Sequence, residues 1–187
     1  MALFQYRRPM EEDFPLYEEC FQNNEWCESY GDLTERSVDK ASVARRIGFE
    51  TYSNLERFVF FRDSVPLGFF HFQRSGPDQS RRCILAGGIR PSILNRGCGV
   101  FMCAVALDLA FKRFKFHKVS STVLSRGQHS ARMIERFGFV LEGTGRQHLF
   151  DLNKGRFVDV SFFGLLESDF PNRFTSTVLA RTRYEPI

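Results

Sequence analysis

A mixed α/β fold with the element order βααβββαβαββ is what this sequence predicts. Three observations carry it. Closely spaced apolar strands with short turns fill residues 57–89. A helix that is apolar nearly all round follows at 99–114. A strand, a second short helix and a hairpin then complete the order. The chain has 187 residues, the size of one domain, and 43% of them are hydrophobic, so a substantial core can be buried.

Each element has its own reason. Residues 3–8 read as extended and are stopped by Pro9. Residues 10–23 read as a helix, with Glu11, Glu12 and Asp13 in the first turn, where the helix dipole favours acids. Its inward residues are Leu16, Tyr17 and Cys20. A second helix is expected at 38–49, with Ser37 as its cap. The strand at 57–62 turns through 63–66 into the strand at 67–73 (LGFFHFQ), and the strand at 82–89 (RCILAGGI) comes next. Such short connections make an antiparallel meander. The helix at 99–114 (GVFMCAVALDLAFKRF) has to be buried on most faces. An alternating strand at 118–124 leads to a helix at 128–137 that Gly138 stops. Residues 139–150 and 156–165 pair as a hairpin across Asn153, Lys154 and Gly155. One domain over residues 1–168 is expected, followed by a polar, basic tail at 169–187 in which Arg173, Arg181 and Arg183 are solvated or touch an acidic partner.

Composition narrows the partners. There are 26 basic and 22 acidic residues, a net charge of +4, and no block of Lys or Arg. This suits an acidic small ligand such as a nucleotide and disfavours nucleic acid. No apolar stretch approaches the ~18 residues of a membrane span, and the first residues, MALFQYRRPMEED, lack the apolar region of a secretory signal. The five cysteines are irregularly spaced with no CxxC pair, and only four histidines accompany them. Neither a disulfide framework nor a zinc site is expected, and reduced thiols place the chain in the cytoplasm. Phe is abundant at 22 residues against one Trp and five Tyr. The runs 58–61, 69–72 and 162–163 do not alternate strictly, so both strand faces need cover, from helices or from a partner subunit. A homo-oligomer or an assembly partner is the expected use of the excess.

The stretch from Gly87 to Val100 carries the chemistry. A strand runs into a loop ending Arg96-Gly97-Cys98-Gly99, and the loop opens the buried helix. The first turn of a helix offers unpaired N–H groups and the positive end of its dipole, and glycines let an anion come close. The same pattern also describes a tight turn that caps a helix. It is no P-loop, because no GK[ST] is present after it, and the dinucleotide fingerprint is incomplete.

The residues beyond the loop are more specific. Phe116-His117-Lys118-Val119 precedes the run SARMIERFGFVLEG at 130–143, and Arg146, Gly155-Arg156, Asp159 and Leu166-Glu167 come after it. This series resembles the GNAT superfamily of acyl-CoA-dependent N-acyltransferases, and within it the branch that acetylates ribosomal-protein N-termini and polyamines. The resemblance covers residues 4–168 and is most specific between Ile89 and Asp159. It implies a GNAT-like central mixed sheet splayed into a V, with helices on both faces, and acetyl-CoA as co-substrate without any metal. The V lies between the strands at 82–89 and 118–124. Pantetheine would pair with the backbone of 86–90, as an added strand does. The pyrophosphate would rest on the amides of 96–101, and a backbone N–H of Ile89 or Arg90 would polarise the thioester carbonyl. The implied cofactor residues are Ile89, Arg90, Arg96, Gly97, Cys98, Gly99, Val100, Phe101, Gly127 and Ser130. The implied partner is an amine acceptor, either a small molecule or a protein N-terminus.

Several positions depart from the family pattern. Phe101 stands where a small residue completes the loop, and the step from Pro91 to Arg96 is long. Gly127 replaces an Asn that contacts CoA, Ile134 replaces the Tyr general acid, and the strand at 82–89 has no carboxylate. Ser125, Ser130 and Glu142 are the substitute catalytic candidates; His71, His117, His129 and Cys98 have structural readings beside any functional one. These departures leave a second reading open: a GNAT-fold protein that has lost catalysis and serves as a structural or binding subunit.

Overall fold

A computed structural model describes residues 3–23, 26–27, 53–94, 96–124, 127–151 and 154–187. The helix expected at 38–49 lies outside the described residues. The elements, in order, are β1 (Leu3–Arg7), α1 (Phe14–Gln22), β2 (Leu55–Arg62), β3 (Val65–Ser75), β4 (Arg82–Ile89), α2 (Cys98–Asp108), β5 (Lys118–Leu124), α3 (Gln128–Arg136), β6 (Val140–Asp151), β7 (Arg156–Leu166), α4 (Arg173–Ala180) and β8 (Arg183–Pro186). All these strands lie in one sheet with the order β6-β7-β5-β4-β3-β2-β1-β8. β2, β3 and β4 form the expected antiparallel meander. Its first turn is tight: Asp63 and Ser64 both take positive φ (51° and 65°), the geometry that matches the twist of a two-residue hairpin.

The phenylalanines divide between the two faces of this sheet. Phe58, Phe60, Phe70 and Phe72 join the cluster that buries α2, with Ile134 of α3 and Phe137 just after it. Val59, Phe61 and Phe69 point the other way and pack with Leu16, Tyr17, Cys20 and Phe21 of α1. The chain's own helices therefore cover both faces of the aromatic strands. Each fully buried ring contributes about 1.5–3 kcal/mol relative to exposure, so the sheet's position is firmly held. Helix α2 is buried along its length from Met102 to Asp108. It widens into a π-type turn at Leu109–Arg113, where the Phe114 N–H donates to Leu109 C=O at 2.9 Å.

The segment expected as a basic tail is folded. Asn172 caps α4, its Oδ1 accepting the Thr175 N–H at 2.8 Å, and Val178 enters the main core. β8 then pairs in parallel with β1, and the Tyr184 hydroxyl donates to the buried Asp108 carboxylate at the end of α2. The helical period is hidden in the sequence because one of the two buried positions of α4 is Thr175; Thr182, just beyond the helix, is buried as well. Each hydroxyl is satisfied locally, on Asn172 Oδ1 and on Val178 C=O. Arg173, Arg181 and Arg183 do face solvent.

The junction of β4 and β5 positions the site. Their parallel pairing runs through Arg82–Lys118, Cys83–Val119 and Ile84–Ser120 and then stops. β4 continues to Ile89 and β5 to Leu124, so the strands part and the sheet opens.

Candidate functional site

The parting strands enclose a cavity of about 640 Å³. One wall is Leu85–Ile89 of β4 and the other is Ser121–Val123 of β5. The N-terminus of α2 closes one side, and Gly127–Ser130 with Met133 and Ile134 of α3 closes another; Trp26 and Phe139 complete the lining.

Backbone phase decides what β4 offers. The Arg90 N–H donates to Leu67 C=O at 2.9 Å. Bonded and non-bonded pairs alternate along an antiparallel ladder. Gly88 and Ala86 therefore also direct their polar groups toward β3, while Ile89 and Gly87 direct theirs to the opposite, open edge. The closed end keeps the same phase, since Arg81 C=O accepts the His117 N–H at 2.7 Å. An extended ligand can pair with this edge as a strand would.

At the mouth of the wedge Gly97 takes φ 79° and a Cβ there would meet nothing, so the backbone turns into open space. This conformation starts α2 abruptly and suits glycine. A Cβ on Gly99 would lie 3.6 Å from Ile89 Cγ1 and 3.9 Å from Met133 Sδ, pointing into the wedge. The bare first turn is thus what keeps the cavity open beside the helix dipole. The Val100 N–H is taken by Gly97 C=O at 3.1 Å, which leaves the N–H groups of Cys98 and Gly99 ahead of the first helical bond. Main-chain donors, a positive dipole and open space fit a pyrophosphate.

Of the residues singled out from sequence, Ile89, Gly97, Cys98, Gly99, Val100, Gly127 and Ser130 line the cavity together. Others do not. Arg90 is turned away: its Nε donates to Glu19 Oε2 at 2.7 Å, its Nη2 reaches the same oxygen, and its Nη1 donates to Pro66 C=O at 3.3 Å. With its N–H also occupied, Arg90 offers the wedge no donor, and a backbone N–H facing the opening has to come from Ile89 or Gly87. Arg96 is exposed at the rim and makes no ion pair with a described residue. Phe101 leaves the cavity, stacking on Phe4 with ring centroids 5.0 Å apart and 24° between planes. Glu142 points elsewhere and pairs with Lys118 at 2.6 Å. Ser125 lies outside the described residues. His71 faces away from the wedge on β3; burial, with the Arg57 charge nearby, pushes it down to about 4, so it is neutral at pH 7. His117 is exposed.

Sequence reasoning passed over Trp26, Ser121, Thr122 and Gln128 as lining residues; His129 is exposed and borders the cavity as well. A lone Trp in a Phe-rich chain was the available signal for the first. The hydroxyls on β5 carried none, because nothing in an alternating strand says where its partner stops.

Residues 5–140 match the family described as the acetyltransferase (GNAT) domain. The chain belongs to the GNAT acetyltransferase family. No protein of curated function matches it in sequence. Among solved structures, this GNAT chain is similar to a spermidine N-acetyltransferase from Vibrio cholerae in complex with CoA and spermine, with TM-score 0.77 and 19% identity over 90% of this chain and 98% of that one. It is also similar to Mycobacterium smegmatis RimJ in complex with CoA-disulfide, at 0.77 and 15% over 94% and 88%. The ribosomal-protein-S5-alanine acetyltransferase from Vibrio fischeri gives 0.69 and 15% over 90% and 96%. At such identities the likeness is one of fold.

Two departures from the GNAT pattern have physical reasons. Phe101 is compatible with an open loop because its ring belongs to the Phe4–Phe60 stack. Gly127 stands where a side chain is crowded: a Cβ would come 2.9 Å from Val123 Cγ1 and 3.1 Å from Leu124 C=O. For Ile134, buried in the cavity wall, the structure supplies no proton donor at the same position; Ser130, one turn earlier on α3, is the nearest hydroxyl along that face.

Proposed function

We propose that this GNAT protein transfers an acetyl group from acetyl-CoA to a primary amine by direct attack within a ternary complex. The observation that carries the reading is the end of β4–β5 pairing at Ile84–Ser120 beside the glycine-lined start of α2. Acetyl-CoA supplies an activated thioester. The chain's residues position it: Gly87 and Ile89 present backbone groups along the open edge, and the amides of Cys98 and Gly99 face the anion. The acceptor's nitrogen attacks the thioester carbon, the C–N bond forms and the C–S bond breaks. An N–H on the open edge stabilises the oxyanion as it develops, and holding both reactants accounts for most of the acceleration. The departing thiolate is already a tolerable leaving group near neutral pH; the Ser130 hydroxyl passes its proton to the sulfur while water delivers the proton lost by the amine to the Ser130 oxygen, so the serine ends unchanged and the products are the amide and the CoA thiol.

The acceptor belongs to the class that the similar structures name, an amine of a polyamine or of a ribosomal protein. Five free, buried cysteines support a cytoplasmic setting. An assembly of copies would use the exposed Val140, Leu141, Phe150 and Phe157 of the β6–β7 ribbon. The test is release of CoA thiol from acetyl-CoA in the presence of spermidine or an alanine-initiated peptide, alongside the rise in Tm with acetyl-CoA alone. Thiol release that needs the amine, and that falls in Ser130→Ala, supports the proposal. No rise in Tm at millimolar acetyl-CoA overturns it.

A further inference from the structure

Trp26 is the chain's single tryptophan. It lies just after α1, with its backbone N–H on Asn23 Oδ1 at 2.8 Å. The ring is 4% exposed and is held by Phe21, edge-on at 5.5 Å, and by Phe69 at 5.6 Å. It reaches the wedge from the α1 face of the sheet. Its Nε1–H donates to Ile89 C=O at 2.6 Å, and that carbonyl lies on the open edge of β4. Its six-membered ring lies against Gly88, where a Cβ would come within 2.5 Å of Cζ2.

The open edge therefore keeps Gly87 N–H, Gly87 C=O and Ile89 N–H for a ligand, but its outermost acceptor is already engaged. Because Gly88 carries no side chain, the wall of the wedge at this level on the α1 face is, among the described residues, the indole.

We propose that Trp26 determines which acyl groups the wedge accepts. The indole ends strand-like pairing at Ile89 and fills the space beside Gly88 into which a longer acyl chain would extend. The proposal rests on the acyl-CoA reading of the wedge and adds a residue that sets its substrate range. A ring removed from an apolar wall changes discrimination between homologous chains by the amount that a few methylenes are worth.

The experiment compares kcat/KM for acetyl-, butyryl- and hexanoyl-CoA in the wild type, Trp26→Ala, Trp26→Leu and Trp26→Phe. In the Ala and Leu variants the hexanoyl-to-acetyl ratio is expected to rise by about tenfold or more. In the Phe variant, which keeps a ring but loses the N–H, it is expected to stay much closer to the wild type. Equal losses for all three thioesters would mark a structural role and overturn the proposal. A second measurement needs no variant and no turnover: with one tryptophan, emission on titration with CoA reports this wall alone. A shift in emission is expected. Unchanged emission together with a rise in Tm would overturn the role of Trp26 and leave the acyl-CoA reading standing. No rise in Tm and no turnover would overturn both.

Discussion

The Glu19 carboxylate holds Arg90 and the loop behind it at once. One oxygen accepts from Arg90 Nε at 2.7 Å and the other from the Ser92 N–H at 2.8 Å. Helix α1 is thereby tied to the segment that leads from β4 to the first turn of α2, and a cation adjacent to the wedge is used for positioning. Burial raises the Glu19 carboxyl, but the bonds from Arg90 and Ser92 outweigh it and hold the group below the ordinary value near 4.5.

Glu19→Gln is expected to lower stability by about 1–2 kcal/mol, the scale of charge-assisted hydrogen bonds in a half-buried site, and to raise KM for acetyl-CoA more than it lowers kcat. The sign with pH is fixed by the depressed value: the stabilisation is complete above about pH 4.5 and is lost as pH falls through the lower folded-state value. Tm against pH should therefore lose part of its acid slope in the Gln variant. An identical slope in both proteins would contradict the role assigned to this pair.

His71 titrates in a different window. Its folded value is pushed down to about 4, while the unfolded chain takes up the proton near 6.5. The neutral folded form is thus fully favoured above pH 6.5, and stability falls as pH drops from 6.5 toward 4. His71→Gln should flatten that part of the Tm profile. Unchanged steepness between those limits would show that His71 charges equally in both states.

Phe101→Ala should not improve CoA binding, because the ring stacks on Phe4 and lies outside the cavity. Stability should fall by about 2–3 kcal/mol, below the range for a fully buried Phe because this ring is only half-buried. Calorimetric titration with CoA reads the first effect and denaturant unfolding the second; an affinity gain beyond about threefold, or roughly 0.6 kcal/mol, would mean that the ring reaches the anion loop.

Gly99→Leu should abolish the rise in Tm expected with acetyl-CoA, since the side chain would project between Ile89 and Met133 into the wedge, while near-native circular dichroism is expected because the fold should persist. Gly127→Asn restores the residue type usual in the family, yet it should not tighten CoA binding, because its Cβ meets Val123 and Leu124 first. A shift in Tm retained in the first variant, or tighter binding in the second, would contradict this geometry.

The strands of the meander, the buried helix α2 and the β6–β7 hairpin were legible because their cues are local. FVFF and LGFFHFQ are too apolar and too closely spaced to be anything but buried strands. The run from Gly97 to Val100 announced a helix start with exposed amides. Helix α4 and β8 were not legible: an eight-residue helix whose two buried positions are Thr175 and Val178 shows little apolar period, and an edge strand of four residues gains its meaning from β1.

By itself, then, the sequence determined the order of the described elements through β7, the glycine-lined start of α2 and the family pattern, all of which reside in neighbouring residues. Folding alone decided the orientation of each ring and charge. Phe101 turns to Phe4, Arg90 to Glu19 and Trp26 to Ile89, and each of these partners is remote along the chain. Packing density and hydrogen-bond satisfaction act between such distant residues, so only the closed tertiary structure can settle which side chain faces the wedge.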